Sequence, residues 1–163
     1  MKICRKSIVA AAILAFAGTA AGAADLEPVD APDDSGWYLR GDAGYGFVDN
    51  GDDGFIAGIG LGYRFSDMLR ADVRGDINDI DSVLANAYLD FDLGSVFTPY
   101  IGAGAGWGWA NSDDGFTVAL MAGVGFDLSD NLALDIGYRF REAMVSGSDP
   151  MSHEILAGLR FEF

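Results

Sequence analysis

From Trp37 to Phe163 the chain alternates between apolar and polar or glycine positions, and the alternation restarts eight times. Side chains change face at every residue of an extended strand, so a period of two marks one greasy and one polar side. The runs are Trp37–Phe47, Phe55–Phe65, Met68–Ile77, Val83–Phe91, Thr98–Trp109, Phe116–Asp127, Leu132–Arg141 and Glu154–Phe163. In the last, Ile155, Ala157, Leu159, Phe161 and Phe163 oppose Glu154, Leu156, Gly158, Arg160 and Glu162. In the second, Phe55, Ala57, Ile59, Leu61, Tyr63 and Phe65 oppose Gly58, Gly60, Gly62 and Arg64. The pattern predicts an all-β chain of eight antiparallel strands.

Alternation does not choose the solvent, because a soluble sheet also buries one face. Three further features choose it. Beyond Lys2 and Lys6 there is no lysine, and Arg40, Arg64, Arg70, Arg74, Arg139, Arg141 and Arg160 all fall opposite the apolar face. An arginine facing lipid costs about 2–4 kcal/mol at the bilayer midplane. Turned inward, these arginines meet Asp42, Asp72, Asp76, Asp135, Glu154 and Glu162 on the same parity, and the planar guanidinium engages a carboxylate at two points. The rest of that face is largely glycine, which suits a narrow eight-stranded lumen. Aromatics on the apolar face sit at strand ends (Trp37, Phe47, Phe55, Phe65, Phe91, Trp107, Trp109, Phe116, Phe126, Phe140, Phe163) around an aliphatic middle of Ala43, Ile59, Val73, Ala87, Ala105, Leu120 and Ile136. Two aromatic girdles about an aliphatic belt match a membrane-spanning wall. The reading is a closed eight-stranded antiparallel transmembrane β-barrel over residues 37–163, lipid outside and a polar interior. A soluble barrel with its apolar face inward would have to pack every one of these large side chains into the lumen and expose a glycine-rich wall.

The amino terminus reads as a secretory signal over residues 1–23: basic Lys2, Arg5 and Lys6, an apolar Ile8–Ala17 too short to span a membrane as a helix, and a small-residue cleavage site at Ala21-Gly22-Ala23. Residues 24–36, with Pro28, Pro32 and several acids, read as a flexible periplasmic lead-in. Cys4 lies in the signal, so no disulfide framework is expected. Without the signal the count is seven basic against 25 acidic side chains, a balance of −18, which argues against nucleic acid as a partner. With both termini in the periplasm, the connections there are Ser66-Asp67, Asp92–Phe97 and Ser129–Asn131. The outer loops are Val48–Gly54, Asn78–Ser82, Ala110–Gly115 and Glu142–Ser152, a longer and aspartate-rich set.

Few motifs point to chemistry. Gly58-Ile59-Gly60-Leu61-Gly62 and Gly102-Ala103-Gly104-Ala105-Gly106 lack the spacing and following helix of a dinucleotide loop. Asp49-Asn50-Gly51-Asp52-Asp53-Gly54 and Asp79-Ile80-Asp81 miss the twelve-residue calcium loop and read as solvated acidic loops. His153, the sole histidine, follows Ser152 and precedes Glu154, but on a strand those two share a face that His153 does not. A hydrolytic triad would need Ser112, Ser146 or Ser148 brought across by a loop. No metal, cofactor or catalytic residue is expected.

The segments Trp37-Tyr38-Leu39-Arg40-Gly41-Asp42, Asn86-Ala87-Tyr88-Leu89-Asp90, Thr98-Pro99-Tyr100-Ile101-Gly102-Ala103-Gly104, Leu134-Asp135-Ile136-Gly137-Tyr138-Arg139-Phe140 and the carboxy-terminal run resemble the small eight-stranded outer-membrane proteins of the OmpA-like or opacity type, including porin-like surface antigens. The ending also resembles the assembly signal read by the outer-membrane insertion machinery, through Gly158, Phe161 and Phe163, with Leu156 where a polar residue is usual. The resemblance implies the outer membrane of a Gram-negative cell, with its lipids and lipopolysaccharide as partners. The expected function is a non-enzymatic structural barrel contributing to envelope integrity, with a plugged lumen and acidic surface loops. The alternatives are a surface adhesin or haemin-binding module of unknown ligand and, more remotely, a lipid A-modifying hydrolase centred on His153.

Overall fold

The computed structural model describes residues 35–49, 53–77, 80–110, 113–145 and 151–163. The signal region and nearly all of the lead-in lie outside the described residues, as do Asn50, Gly51, Asp52, Asn78, Asp79, Ser112, Ser146 and Ser148. Eight strands run in chain order: β1 (Gly36–Val48), β2 (Gly54–Ser66), β3 (Leu69–Ile77), β4 (Ile80–Asp90), β5 (Phe97–Ala110), β6 (Asp113–Ser129), β7 (Leu132–Val145) and β8 (Met151–Glu162). Each pairs antiparallel with the next, and β1 pairs β8 from Tyr38↔Glu162 to Val48↔Ser152, so the sheet closes into a barrel. Closure removes both sheet edges and pairs the backbone within the wall, as lipid requires. One rim carries Gly36, Phe163 and the connections before β3, β5 and β7; the opposite rim carries the other four connections. We call these the terminal rim and the loop rim.

The two parities separate cleanly. Leu120 is 61% exposed on the outer wall, with Ile59, Ile101, Ile136, Ile155 and Leu159 also exposed in its middle. Arg70, Asp76 and Glu154 on the other parity are fully buried. Trp37, Phe65, Phe97, Phe161 and Phe163 ring the terminal end of the wall, and Tyr45, Phe47, Phe55, Trp107 and Phe116 the loop end.

One expectation needs correction. The strands run further toward the loop rim than the sequence implies: Asp113 and Asp114, expected in a loop, pair with Ala110 and Trp109, and β7 continues past Arg141 to Val145. The connections at that rim shrink to residues 49–53, 78–79, 111–112 and 146–150, while Phe91–Val96 at the terminal rim is as long as any. The longer outer loops are therefore absorbed into the barrel wall, because ladder hydrogen bonds continue wherever a facing backbone is available, whatever the side chains. Gly94, at φ 64° in the Phe91–Val96 connection, adopts the left-handed conformation that glycine reaches without steric cost. The polar lumen also has an apolar part. Ile56, Leu84, Ala119, Met121, Ala143 and Leu156 are buried inside it, and Leu84, Ala119 and Met121 join Tyr88 and Tyr100 in an apolar wall on β4–β6.

Candidate functional site

Among the described residues, the ion pairs of the lumen join seven arginines to seven carboxylates. Arg40, Arg64, Arg70, Arg74, Arg139, Arg141 and Arg160 face Asp42, Asp72, Asp76, Asp90, Asp135, Glu154 and Glu162. The arginines and carboxylates expected in an interior polar network lie here, whereas Asp127, on the inward parity of β6, lines the open terminal end of the lumen instead. Asp90 was missed as a partner, although it lies on the inward parity of β4. Its neighbours Asn86 and Tyr88 were equally legible there, and Tyr38 shares the parity of Arg40.

The pairs form two alternating chains. Toward the loop rim, the order is Asp72, Arg40, Asp42, Arg74, Asp76, Arg139, Glu154, Arg141, with contacts of 3.4, 3.3, 2.5, 2.6 and 2.9 Å up to Arg139, then the Arg139–Glu154 pair, and 2.7 Å to Arg141. Ser82 and Ser152 complete this chain by bonding Asp76 and Glu154. Toward the terminal rim, the order is Asp135, Arg160, Glu162, Arg64, Asp90, Arg70. The first chain is dry, with side chains at most 6% exposed, whereas Arg64 and Glu162 in the second are 14% and 30% exposed. Buried charges persist only when paired and hydrogen-bonded, and these chains give every carboxylate an arginine.

Three tyrosines separate the chains. The Arg70 guanidinium lies 4.2 Å from the Tyr88 ring centre, 5.0 Å from Tyr100 and 5.9 Å from Tyr38. Its two terminal nitrogens lack a hydrogen-bond acceptor, so ring faces take the place of oxygen there. Tyr38 donates to Asp72 at 3.2 Å, and Arg40 donates to the Tyr88 hydroxyl at 3.1 Å. Glycine makes this packing possible. Tyr38, Tyr88 and Tyr100 each lie over the glycine paired with them on the next strand, Gly62, Gly102 and Gly123. A Cβ at Gly102 would fall 2.6 Å from the Tyr88 ring, and one at Gly123 would fall 2.6 Å from Tyr100.

What remains open is small in mid-lumen. A void of about 10 Å³ lies among Arg40, Arg74, Tyr88, Tyr100, Met121 and Leu156, about the volume one water's probe sphere needs. Ile56, Thr117 and Ala143 are fully buried on its loop side. On its terminal side a vestibule of about 660 Å³ opens at the rim, reaching Arg64, Arg160 and Glu162.

His153 faces the outer wall. Its Nδ1 lies 2.5 Å from the Tyr138 hydroxyl and its ring packs against Phe140, while Ser152 and Glu154 bond each other inside the barrel. The strand therefore divides the histidine from its neighbouring serine and acid, and of the loop serines a triad would need, none is among the described residues. Gly158, the first residue of the expected assembly signal, sits over Asp42, while Phe161 and Phe163 stack on the wall, where the Phe163 amide donates to the Trp37 carbonyl at 2.9 Å. Among the described residues no cluster of three or more His, Cys, Asp or Glu could hold a metal ion.

Comparisons with known proteins agree with this architecture. An uncharacterised protein of Brucella abortus is 33% identical over an alignment spanning 75% of each chain. The opacity protein opA66 of Neisseria gonorrhoeae is 25% identical, matching 55% of this chain and about half of its own length. Among solved structures, Neisserial surface protein A aligns with a TM-score of 0.68 and 27% identity, covering 80% of this chain and 100% of that one. The model of the outer membrane protein beta-barrel domain matches residues 8–163, and with its closed eight-stranded wall and inward guanidinium groups the chain belongs to that family of outer-membrane barrels.

Proposed function

We propose that the protein is a structural element of the outer membrane: a sealed barrel, reached by a cleaved signal peptide, that ties lipid to envelope and conducts no solute. The terminal rim faces the periplasm and the loop rim faces outward. The observation that carries this reading is the lumen's two chains of ion pairs, with the tyrosines between them, around a void of only about 10 Å³. A solute would have to break several buried ion pairs to pass, and breaking one by removing a partner costs about 3–5 kcal/mol. The apolar residues Ile56 and Ala143 on the loop side withhold the water such a passage needs. The wall supplies the lipid contacts, and Gly158, Phe161 and Phe163 supply the ending for the insertion machinery to read.

The test is conductance in planar bilayers. Purified protein that inserts, by the criterion of heat-modifiable gel mobility, yields no stable open level. A reproducible ionic conductance that scales with inserted protein would end the sealed-lumen reading while leaving the fold intact.

A second reading, capture of a ligand at the cell surface, is favoured by the acidic residues at the loop rim. Asp49, Asp114 and Glu142 lie two residues beyond Phe47, Phe116 and Phe140, on the same outward parity. Their neutralisation weakens binding of a cationic surface ligand if this reading holds and leaves envelope integrity unchanged.

A further inference from the structure

The lumenal charges divide by strand as well as by depth. Strands β1–β4 contribute Arg40, Arg64, Arg70 and Arg74 against Asp42, Asp72, Asp76 and Asp90, four of each. Strands β7 and β8 contribute Arg139, Arg141 and Arg160 against Asp135, Glu154 and Glu162, three of each. Strands β5 and β6 bring no charge into either chain of ion pairs. Both sets are neutral, and within each set every charged side chain already has an opposite partner. In the first, Asp42 and Asp72 bind Arg40, Arg74 binds Asp42 and Asp76, and Asp90 binds Arg64 and Arg70. In the second, Glu154 binds Arg139 and Arg141, and Arg160 binds Asp135 and Glu162.

Among the described residues two ion pairs bridge the sets, one at each depth. Arg139 reaches Asp76 across the lumen at 2.9 Å, and Arg64 reaches Glu162 past β1 at 2.6 Å. Arg141 adds a hydrogen bond to Ser82 at 2.9 Å. Along the seam itself the directly paired inward residues do not attract: Tyr38 faces Glu162, Arg40 faces Arg160, and Asp42 faces Gly158. The clasp over the seam is thus supplied by β2 rather than by β1.

We propose that the barrel closes from two charge-complete sheets, β1–β4 and β7–β8 hinged by β5–β6, which add no member to either chain of ion pairs, and that Arg64–Glu162 and Arg139–Asp76 are clasps made only at closure. The physical reason is the state before closure, when no lumen yet shields the inward face. An unpaired charge there would meet lipid, whereas internally paired, neutral sheets carry a smaller penalty. Closure then exchanges little charge and adds two links between parts that are far apart in sequence.

The test follows two cross-links during refolding of the full chain, with Cys4→Ser so that introduced cysteines are the only thiols. Leu39→Cys with Leu61→Cys reports β1–β2 pairing inside the first sheet, and Leu39→Cys with Phe161→Cys reports the seam. Oxidant pulses during refolding into micelles give the time course of each, and dilution into urea gives their loss. The β1–β2 link forms first. Glu162→Gln speeds seam opening about tenfold, the scale of one charge-assisted hydrogen bond, and leaves the β1–β2 time course unchanged. Asp72→Asn, which breaks a pair inside the first sheet, retards the β1–β2 step. Equal effects of the two variants on one common step would overturn the proposal. So would simultaneous appearance of both cross-links in the unaltered network, a result that does not depend on Asp72→Asn folding. Neither outcome bears on conductance, so this proposal and the sealed-lumen reading fail separately.

Discussion

Arg139→Met is the most informative single change, because Arg139 is the residue through which β7, β8 and β3 meet. Its guanidinium binds Asp76 at 2.9 Å and also Glu154, and both carboxylates are fully buried. Methionine retains much of the volume but removes the cation, so the dry chain passes from four arginines against four carboxylates to three against four. Breaking a buried pair from one side costs about 3–5 kcal/mol. Here the value falls near the lower bound, about 3 kcal/mol, because Asp76 keeps Arg74 at 2.6 Å and Glu154 keeps Arg141 at 2.7 Å. The double variant Arg139→Met with Glu154→Gln restores the balance at three against three. Its loss is smaller than the sum of the two single losses by more than about 1 kcal/mol, since the sites share a network. The assay is urea unfolding in lipid vesicles, followed by the fluorescence of Trp37, Trp107 and Trp109 and by gel mobility of unheated samples. Additive losses, or an Arg139→Met loss below about 1 kcal/mol, would refute the claim that charge balance rather than local packing governs this region.

Other expectations are as direct. Leu120→Arg, at a residue 61% exposed in mid-wall, lowers stability in vesicles by about 2–4 kcal/mol, and Leu120→Ala lowers it by far less. Gly102→Ala costs about 1–3 kcal/mol by driving a methyl group toward the Tyr88 ring, and Tyr88→Leu in the same chain recovers part of that loss in urea titrations. Phe163→Ala lowers the yield of heat-modifiable barrel in cells more than it lowers the stability of refolded protein, because its side chain lies on the lipid wall rather than in the core.

The wall was legible because two independent signals agree at each strand. Parity alone told that Arg70 and Arg74 face away from Leu69 and Val73, and the absence of lysine after Lys6 told which face met lipid. Partner choice was not legible, because it depends on stagger. Arg139 and Asp76 are 63 residues apart and meet across the lumen, and Glu162 binds Arg64 rather than its paired neighbour Tyr38. Strand ends were misjudged at the loop rim for a related reason. Asp113 and Asp114 look like a loop by polarity, but hydrogen-bonding to the β5 backbone makes no demand on their side chains, and Asp114 turns outward to accept from the Trp107 indole at 2.8 Å.

The interior glycines and arginines belong to one design. A strand glycine ordinarily weakens a sheet, since it packs nothing and loses the most entropy on folding. In this lumen a glycine is the seat for a long side chain from the neighbouring strand. Gly58 lies beneath the Asp76 and Arg74 head groups, Gly60 beneath the Arg40 stem, and Gly62 beneath Tyr38. Those three seats follow one another along β2, which contributes only Arg64 to the lumenal charge. A strand rich in charge therefore stands beside one emptied of side chains. The glycine run of β2 is the space into which the charges of β1 and β3 fold. Filling the Gly58 seat displaces the Arg74–Asp76 ion pair, filling the Gly60 seat displaces the Arg40 stem, and filling the Gly62 seat displaces the Tyr38 ring, so these glycines prove no more replaceable than the side chains they accommodate.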